Sequence, residues 1–272
     1  MPAAQAHRLA AMTAFAGLDL AWTTTHPSGV CVLETIGGTA RLVEIASQIT
    51  PVEVLAADMR DLGPDSIVAV DAPLIRRDGC MAERELGRVF GRFHASAYMA
   101  SMAFLESRKP PLDAGPRLGD ALSGVGFTLD PLLVLAGGGG RRAFEMYPHA
   151  FHVAAFGLDE RILYKKGRRA TRLAGMARYQ ALLGALLDDW APEVAADARV
   201  RELLAPDALK AKGKALKAVE DQLDAISCAV AALMAGRDGI CRGEVFGDPA
   251  TGSIAVPGMR RDSRFIAPTA SC

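Results

Sequence analysis

Thr13-Ala14-Phe15-Ala16-Gly17-Leu18-Asp19 is the stretch that decides the fold. Its apolar run predicts a buried β-strand, and the strand ends on an acidic residue. A second run, Ser66-Ile67-Val68-Ala69-Val70-Asp71, predicts a central parallel strand with an acid at the same end, since Pro73 stops it there. Because the carboxyl ends of parallel strands lie along one edge of a sheet, Asp19 and Asp71 are expected at the edge where α/β proteins bind ligands.

The flanking sequence completes an α/β pattern. A hairpin is predicted from two β-prone runs, residues 29–35 and 39–46, because the Gly37-Gly38 pair between them supplies the positive φ of a tight turn. Further strands are predicted over residues 143–147 and 253–256. Helices are predicted over residues 51–62, 83–93, 170–190 and 214–235, with Gly236 as the C-cap of the last one.

The middle of the chain is interpreted as an insertion within one domain. The domain spans residues 12–258, with flexible tails at 1–11 and 259–272, and the insertion covers residues 76–142, after the fourth strand. Within it, residues 109–126 are rich in proline and glycine and are expected to form a loop, and residues 137–140 a flexible joint.

Composition excludes several classes of protein. The 272 residues are 50% hydrophobic and 23% charged, which excludes intrinsic disorder. The 31 basic and 31 acidic residues cancel, so a polyanionic partner must be bound by a local basic patch. The longest apolar stretch, residues 225–235, is too short to span a membrane. No CxxC pair occurs, which is typical of a cytoplasmic protein without a disulfide framework; the cysteines are Cys31, Cys80, Cys228, Cys241 and Cys272.

Three more acidic residues extend the candidate site. Glu145 lies in the predicted strand 143–147, and Asp221 and Asp224 are three residues apart, so they share one face of the last helix. Carboxylates about 4 Å apart repel by about 4 kcal/mol at an effective dielectric near 20, so a cluster must hold protons or cations. Hard Mg²⁺ or Mn²⁺ prefers carboxylate oxygens, and the pattern favours metal-assisted hydrolysis of a phosphate ester. The alternative is that Asp221 pairs with Lys214 or Lys217 and the acids do not converge.

Two basic clusters are the candidates for phosphate contacts, and solvated helix entrances are the alternative interpretation. They are Lys165, Lys166, Arg168, Arg169 and Arg172, and Lys210, Lys212, Lys214 and Lys217. Lys166 is expected to stabilise developing charge as a catalytic auxiliary, and Tyr164 to stack on a base. His149 and His152 are interpreted as packing residues, and Trp22 as either a wall of the crevice or part of the core.

A set of short motifs occurs in a fixed order along the chain: Gly17-Leu18-Asp19-Leu20-Ala21-Trp22, Val70-Asp71-Ala72-Pro73-Leu74, Glu145-Met146-Tyr147-Pro148-His149, Tyr164-Lys165-Lys166-Gly167-Arg168 and Glu220-Asp221-Gln222-Leu223-Asp224-Ala225. Over roughly residues 13–257 this order resembles the predicted RNase H-like nuclease family catalogued as domain of unknown function 429. The resemblance implies an α/β, RNase H-like fold: a mixed five-stranded sheet with an antiparallel second strand and flanking helices.

The resemblance also implies a site and an activity. In the RNase H-like superfamily an acid on the first strand, one on the fourth strand and one on the last helix hold a divalent metal ion. These positions fall on Asp19, Asp71 and Asp224, with Asp221 beside them and Glu145 as a further candidate ligand. The expected function is therefore a nuclease that uses Mg²⁺ or Mn²⁺ and acts on nucleic acid.

Two alternatives stay open at the level of the sequence. The first is a catalytically silent module that keeps the fold to bind nucleic acid or another partner. The second is an actin-like, nucleotide-binding phosphotransferase, because Thr23-Thr24-Thr25 after Asp19 resembles the phosphate loop of such proteins.

Overall fold

The computed structural model describes residues 13–137, 139–238 and 243–258. The expected flexible tails at 1–11 and 259–272, the residues Cys241 and Cys272, and part of the expected joint at 137–140 lie outside the described residues. Among the helices that are described, none combines the length and the apolar character needed to cross a lipid bilayer.

The first five strands form one mixed sheet. They are β1 Thr13–Asp19, β2 Ser28–Ile36, β3 Thr39–Gln48, β4 Ser66–Val70 and β5 Arg142–Glu145. Their order across the sheet is β3-β2-β1-β4-β5. β2 runs antiparallel to β1 and β3, whereas β4 pairs in parallel with both β1 and β5. The predicted α/β architecture with a mixed five-stranded sheet is confirmed, and so is the β2–β3 hairpin.

The helices connect the strands and follow the sheet. α1 Val52–Asp61 joins β3 to β4. Between β4 and β5 lie α2 Ala82–Phe90, a 3₁₀ turn Gly91–Phe93, α3 Met102–Glu106, α4 Ala114–Gly124 and α5 Pro131–Leu135. After β5 come α6 Pro148–Phe156, α7 Arg169–Trp190, α8 Pro192–Ala196, α9 Ala198–Leu204, a 3₁₀ turn Pro206–Lys210 and α10 Lys214–Asp238. A two-stranded hairpin of β6 Gly243–Asp248 and β7 Gly252–Pro257 follows.

The sheet separates two hydrophobic cores. Phe15 of β1 belongs to the core that contains buried residues of α7 and α10, such as Leu183 and Ile226. Ala16, next along the strand, belongs to the other core, which contains residues of α1 and α4 such as Leu118. Because both faces are covered, successive residues of β1 and β4 are apolar, which explains why these strands appear as continuous apolar runs in the sequence.

Two glycines let α10 lie directly on the sheet. A Cβ atom on Gly17 would stand 2.1 Å from the carbonyl oxygen of Ala225. A Cβ atom on Gly29 would stand 2.1 Å from the carbonyl oxygen of Asp221. No other residue fits at these two positions, and the close contact brings the acidic part of α10 to the carboxyl end of β1.

Two predictions about elements differ from the structure, and several elements were not predicted. The proline- and glycine-rich residues 109–126 contain α4, because its apolar face packs against α1 in the second core. Gly236 does not end the last helix, which continues to Asp238; a Cβ atom there would stand 2.6 Å from Cε1 of Phe15, so glycine permits close packing. One of the elements that were not predicted is β6, which pairs with β7.

Candidate active site

The carboxyl ends of β1 and β4 bring Asp19 and Asp71 together. The parallel register pairs Leu18 with Val70, and the amide of Asp71 donates a 2.8 Å hydrogen bond to the carbonyl of Leu18. The side chains of Asp19 and Asp71 are 12% and 20% exposed. Both carboxylates therefore lie at one edge of the sheet, largely shielded from water.

Asp224 reaches the same edge from α10 and is completely buried. Its Oδ1 accepts hydrogen bonds from the hydroxyl of Tyr164 at 2.8 Å and from that of Tyr179 at 3.1 Å. The Tyr179 hydroxyl also lies 2.6 Å from Ser227 Oγ, which in turn lies 3.1 Å from Nε2 of His152. This buried network holds the Asp224 carboxylate in one orientation.

Lys165 joins the three carboxylates. Its Nζ lies 2.9 Å from Asp224 Oδ2, 3.7 Å from Asp71 Oδ2 and 4.0 Å from Asp19 Oδ1. We call these four side chains, Asp19, Asp71, Asp224 and Lys165, the acid centre. With every group ionised, one ammonium faces three carboxylates, so two negative charges stay uncompensated within the centre.

The protonation of the acid centre reflects this charge. Burial raises the pKa of Asp19 well above its ordinary value and that of Asp71 to about 6; Lys165 opposes this effect, and repulsion from Asp224 adds to it. Burial acts in the same direction on Asp224, but Lys165, His152 and the Tyr164 hydrogen bond outweigh it and hold its pKa below the ordinary value. Burial acts to lower the pKa of Lys165, yet attraction to the three carboxylates raises it well above its ordinary range.

The chemistry of the acid centre fits a hard divalent cation. All of its acidic donors are carboxylate oxygens, which are the ligands that Mg²⁺ and Mn²⁺ prefer. As the side chains of the described residues stand, no group of three or more His, Cys, Asp or Glu is arranged as the ligands of a metal ion. Instead, the Lys165 ammonium contacts all three carboxylates. A cation bound there requires Lys165 to withdraw, and its side chain, 28% exposed, lines two cavities that give it room.

The other two predicted metal ligands have partners of their own. Asp221 forms a 2.6 Å ion pair with Lys217 and accepts a hydrogen bond from Ser47. Glu145 is buried and forms a 2.6 Å ion pair with Arg76. The alternative predicted from the sequence was that Asp221 pairs with a lysine and the acids do not meet. The Lys217–Asp221 pair does form, yet Asp19, Asp71 and Asp224 still meet around Lys165.

Two adjacent lysines with predicted roles lie in different surroundings. Lys166, the predicted catalytic auxiliary, hydrogen-bonds the hydroxyl of Tyr98 and lies 4.6 Å from the centroid of its ring. Lys165, predicted to contact phosphate, is the residue among the carboxylates. Tyr164 requires a correction as well: its side chain is completely buried, so it has no face on which a base can stack, and it supports Asp224 instead.

Three further basic candidates are exposed. Arg168 and Arg169 lie at the start of α7, and Lys214 is the first residue of α10. They stay candidates for phosphate contacts. His152 is buried as predicted, whereas His149 lines a cavity that Trp22 also lines.

Two cavities meet at the acid centre. The larger, of about 360 Å³, is lined by Asp19, Asp71, Lys165 and the β1–β2 loop with Thr23 and His26. The smaller, of about 190 Å³, is lined mainly by aromatic and basic side chains. Asp71, Lys165 and Trp22 line both cavities, so Trp22 forms a wall of the crevice.

The sequence did not reveal the residues that support Asp224. Tyr179 lies on the buried face of α7, where its spacing resembles that of an ordinary core aromatic residue. Ser227 gives a stronger signal, because it is a polar residue three positions after Asp224 in an otherwise apolar part of α10. A polar side chain in such a run is expected to hydrogen-bond another buried polar group.

Comparison with known proteins places the chain in a family. No curated protein and no solved structure shows significant similarity to it. The model of the family described as "Protein of unknown function (DUF429)" matches residues 17–251, a span that contains all four side chains of the acid centre. The chain therefore belongs to the DUF429 family of proteins of unknown function.

Proposed function

We propose that the protein is a metal-dependent nuclease of RNase H-like fold that hydrolyses phosphodiester bonds in nucleic acid. The observation that carries the proposal is the meeting of Asp19, Asp71 and Asp224 around one ammonium group. They come from the first strand, the end of the fourth strand and the last helix, which are the positions that the RNase H-like resemblance implies. The antiparallel second strand of the sheet also supports this assignment.

The reaction follows from the charges at the site. Asp19, Asp71 and Asp224 would hold Mg²⁺ or Mn²⁺, which supplies the positive charge that makes a phosphate ester susceptible to attack. The Tyr164 and Tyr179 hydroxyls keep Asp224 oriented toward that position. Lys165, once withdrawn from the carboxylates, places its ammonium beside the scissile phosphate and stabilises the charge that develops on its oxygen atoms.

A cleavage assay tests the proposal. The protein is incubated with single-stranded, duplex, RNA–DNA hybrid and branched substrates, in Mg²⁺, in Mn²⁺ and in EDTA. We expect cleavage of at least one substrate that requires the metal and is abolished by Asp71→Asn. Asp58→Asn, an exposed acid on α1, is the matched control and retains the activity. Absence of cleavage in either metal on every substrate would overturn the proposal.

The loop after β1 favours a second candidate, a phosphotransferase that acts on a nucleotide. Thr23 lines the larger cavity beside Asp19, and its Oγ1 lies 2.7 Å from Nδ1 of His26. Hydroxyl groups in this position can contact a phosphate group. Thermal stabilisation by Mg·ATP, without stabilisation by any oligonucleotide, would favour the phosphotransferase over the nuclease.

A further inference from the structure

The smaller cavity has a chemistry that hydrolysis at the acid centre does not require. Its walls combine aromatic rings with the three cations Arg161, Lys165 and Lys166. We call it the aromatic pocket, and its rings are those of Trp22, Tyr98, Tyr147 and His149. Proteins that bind single-stranded nucleic acid stack bases on aromatic side chains and contact the backbone with basic ones. The composition of the pocket therefore matches a nucleotide better than an apolar ligand.

Tyr98 offers the stacking surface. Tyr98 is 66% exposed, which is unusual for a large aromatic residue, so its ring is accessible to a ligand. The ammonium of Lys166 lies 4.6 Å from the ring centroid and also hydrogen-bonds the Tyr98 hydroxyl. The contact places a cation directly beside an exposed ring, so a base on Tyr98 and a phosphate on Lys166 can belong to one nucleotide.

His149 supplies a neutral ring to the wall of the pocket. Burial lowers the pKa of His149 to about 4, so its ring carries no charge at neutral pH. Its Nδ1 is buried and has no hydrogen-bond partner among the described residues. The Tyr147 ring packs edge-on against it, with the centroids 5.5 Å apart. The neutral ring therefore adds a flat, uncharged surface to the wall of the pocket, against which a base can pack.

The size and position of the pocket limit what it can hold. Its volume of about 190 Å³ is below the range of about 300–1,000 Å³ that is typical of pockets for drug-sized ligands. It therefore suits a single planar base better than a larger ligand. Asp71 and Lys165 line both this pocket and the larger cavity, so a base in the pocket brings its own phosphate to the acid centre.

We propose that the aromatic pocket binds one unpaired nucleobase, and that the substrate is single-stranded or locally unpaired nucleic acid. This inference rests on the proposed nuclease function, because it names the substrate class of the same site. A base inside a continuous duplex is paired and stacked, and it must leave the helix before it can enter the pocket.

Binding without metal tests the inference separately from cleavage. Fluorescence anisotropy is measured in EDTA at one fixed, low salt concentration with a labelled single strand, as DNA and as RNA, and with the matched duplex. We expect the single strand to bind more tightly than the duplex. Tyr98→Leu should weaken single-strand binding by roughly tenfold, because base–aromatic stacking is lost. Tyr98→Phe keeps the ring and should restore single-strand binding to within about twofold of wild type.

Each outcome decides one of the two proposals. Equal single-strand affinity of Tyr98→Leu and wild type, tighter binding of the duplex, or no binding of any strand would overturn the pocket assignment. Tyr98-dependent binding without cleavage in Mg²⁺ or Mn²⁺ would keep the pocket and overturn the nuclease. Metal-dependent cleavage of duplex that Tyr98→Leu does not change would keep the nuclease and overturn the pocket assignment.

Discussion

Lys165 is the residue on which the charge balance of the site depends. Its ammonium contacts all three carboxylates, so it compensates them when no metal ion is bound. A divalent cation attracted to the same carboxylates must compete with it. Lys165 thus has two expected effects: it stabilises the metal-free fold and it weakens metal binding.

The first prediction concerns Lys165→Met. In EDTA the variant should lose about 3–5 kcal/mol of unfolding free energy, as is usual when one partner of a buried ion pair is removed. Its affinity for Mn²⁺ should rise, because the competing ammonium is gone. Urea unfolding and calorimetric titration with Mn²⁺ measure the two effects. Lys166→Met is the matched control and should keep the wild-type Mn²⁺ affinity; equal affinities for all three proteins would contradict the competition.

The second prediction is a pH dependence caused by Asp71. Its pKa is raised from 3.8 to about 6 in the folded protein, so the folded state binds the proton more tightly than the unfolded state. The stability that this proton contributes is present below pH 4 and is lost as the pH rises through 6. Asp71→Asn removes the ionising group, and in EDTA it should be more stable than wild type by about 2–3 kcal/mol at pH 8.

The same comparison at pH 4 should show little difference between Asp71→Asn and wild type. Chemical denaturation at a series of pH values gives the two curves. Asp58→Asn, on the exposed face of α1, should follow wild type at every pH. A constant offset between Asp71→Asn and wild type from pH 4 to pH 8 would show that burial and repulsion do not act on Asp71 as described.

Residue types and their positions in the sequence were enough to predict most residues of the acid centre, but not the role of Lys165. Asp19 and Asp71 follow apolar strands, and Asp224 shares a helical face with Asp221, so their candidacy was visible in the sequence. Which of two adjacent lysines faces the carboxylates was not visible. Lys165 and Lys166 lie in an irregular segment before α7, where no strand or helix period fixes the direction of a side chain.

At the scale of elements, the packing of α10 on the sheet determines whether the acids meet. Gly17 and Gly29 bring the backbone of α10 against β1 and β2. A side chain at either position would separate the helix from the sheet and move Asp224 away from Asp19. The site therefore depends on two residues that have no functional groups.

The third prediction follows from this contact. Gly17→Ala places a Cβ atom 2.1 Å from backbone atoms of α10, and it should cost about 3 kcal/mol or more of stability and weaken Mn²⁺ binding. Gly184→Ala in α7 is the matched control, because its Cβ would meet only Leu204 Cδ1 at 3.6 Å. The control should be neutral or more stable by up to about 1 kcal/mol, since alanine favours a helix. Thermal unfolding of both variants checks this; equal stability would contradict the close contact.

The elements that were predicted correctly are those whose signal lies within a few consecutive residues. Apolar runs marked β1 and β4, and Gly37-Gly38 marked the hairpin between β2 and β3. The helix α4 was missed because its glycines and proline resemble a loop, whereas in the structure Gly115 and Gly119 lie against the backbone of Pro73 and Leu74. Such contacts between distant segments leave no periodic signal in the sequence.

At the scale of the whole molecule, the acid centre and the two cavities beside it form one crevice. The chain has no net charge, so long-range attraction to nucleic acid is weak and must come from the cations near the crevice. The acid centre itself is negative and weakens the binding of a phosphate group until a cation neutralises it, so binding in EDTA depends on the aromatic pocket. Metal binding and nucleic-acid binding are therefore expected to strengthen each other.

The position of a bound metal ion tests the central claim most directly. Crystals of the protein grown with Mn²⁺ are measured at the manganese absorption edge, and an anomalous difference map is calculated. We predict a peak between the carboxylates of Asp19, Asp71 and Asp224, with the Lys165 ammonium displaced from its three partners. A map without a peak at this point, with Lys165 still in contact with all three carboxylates, would contradict the account.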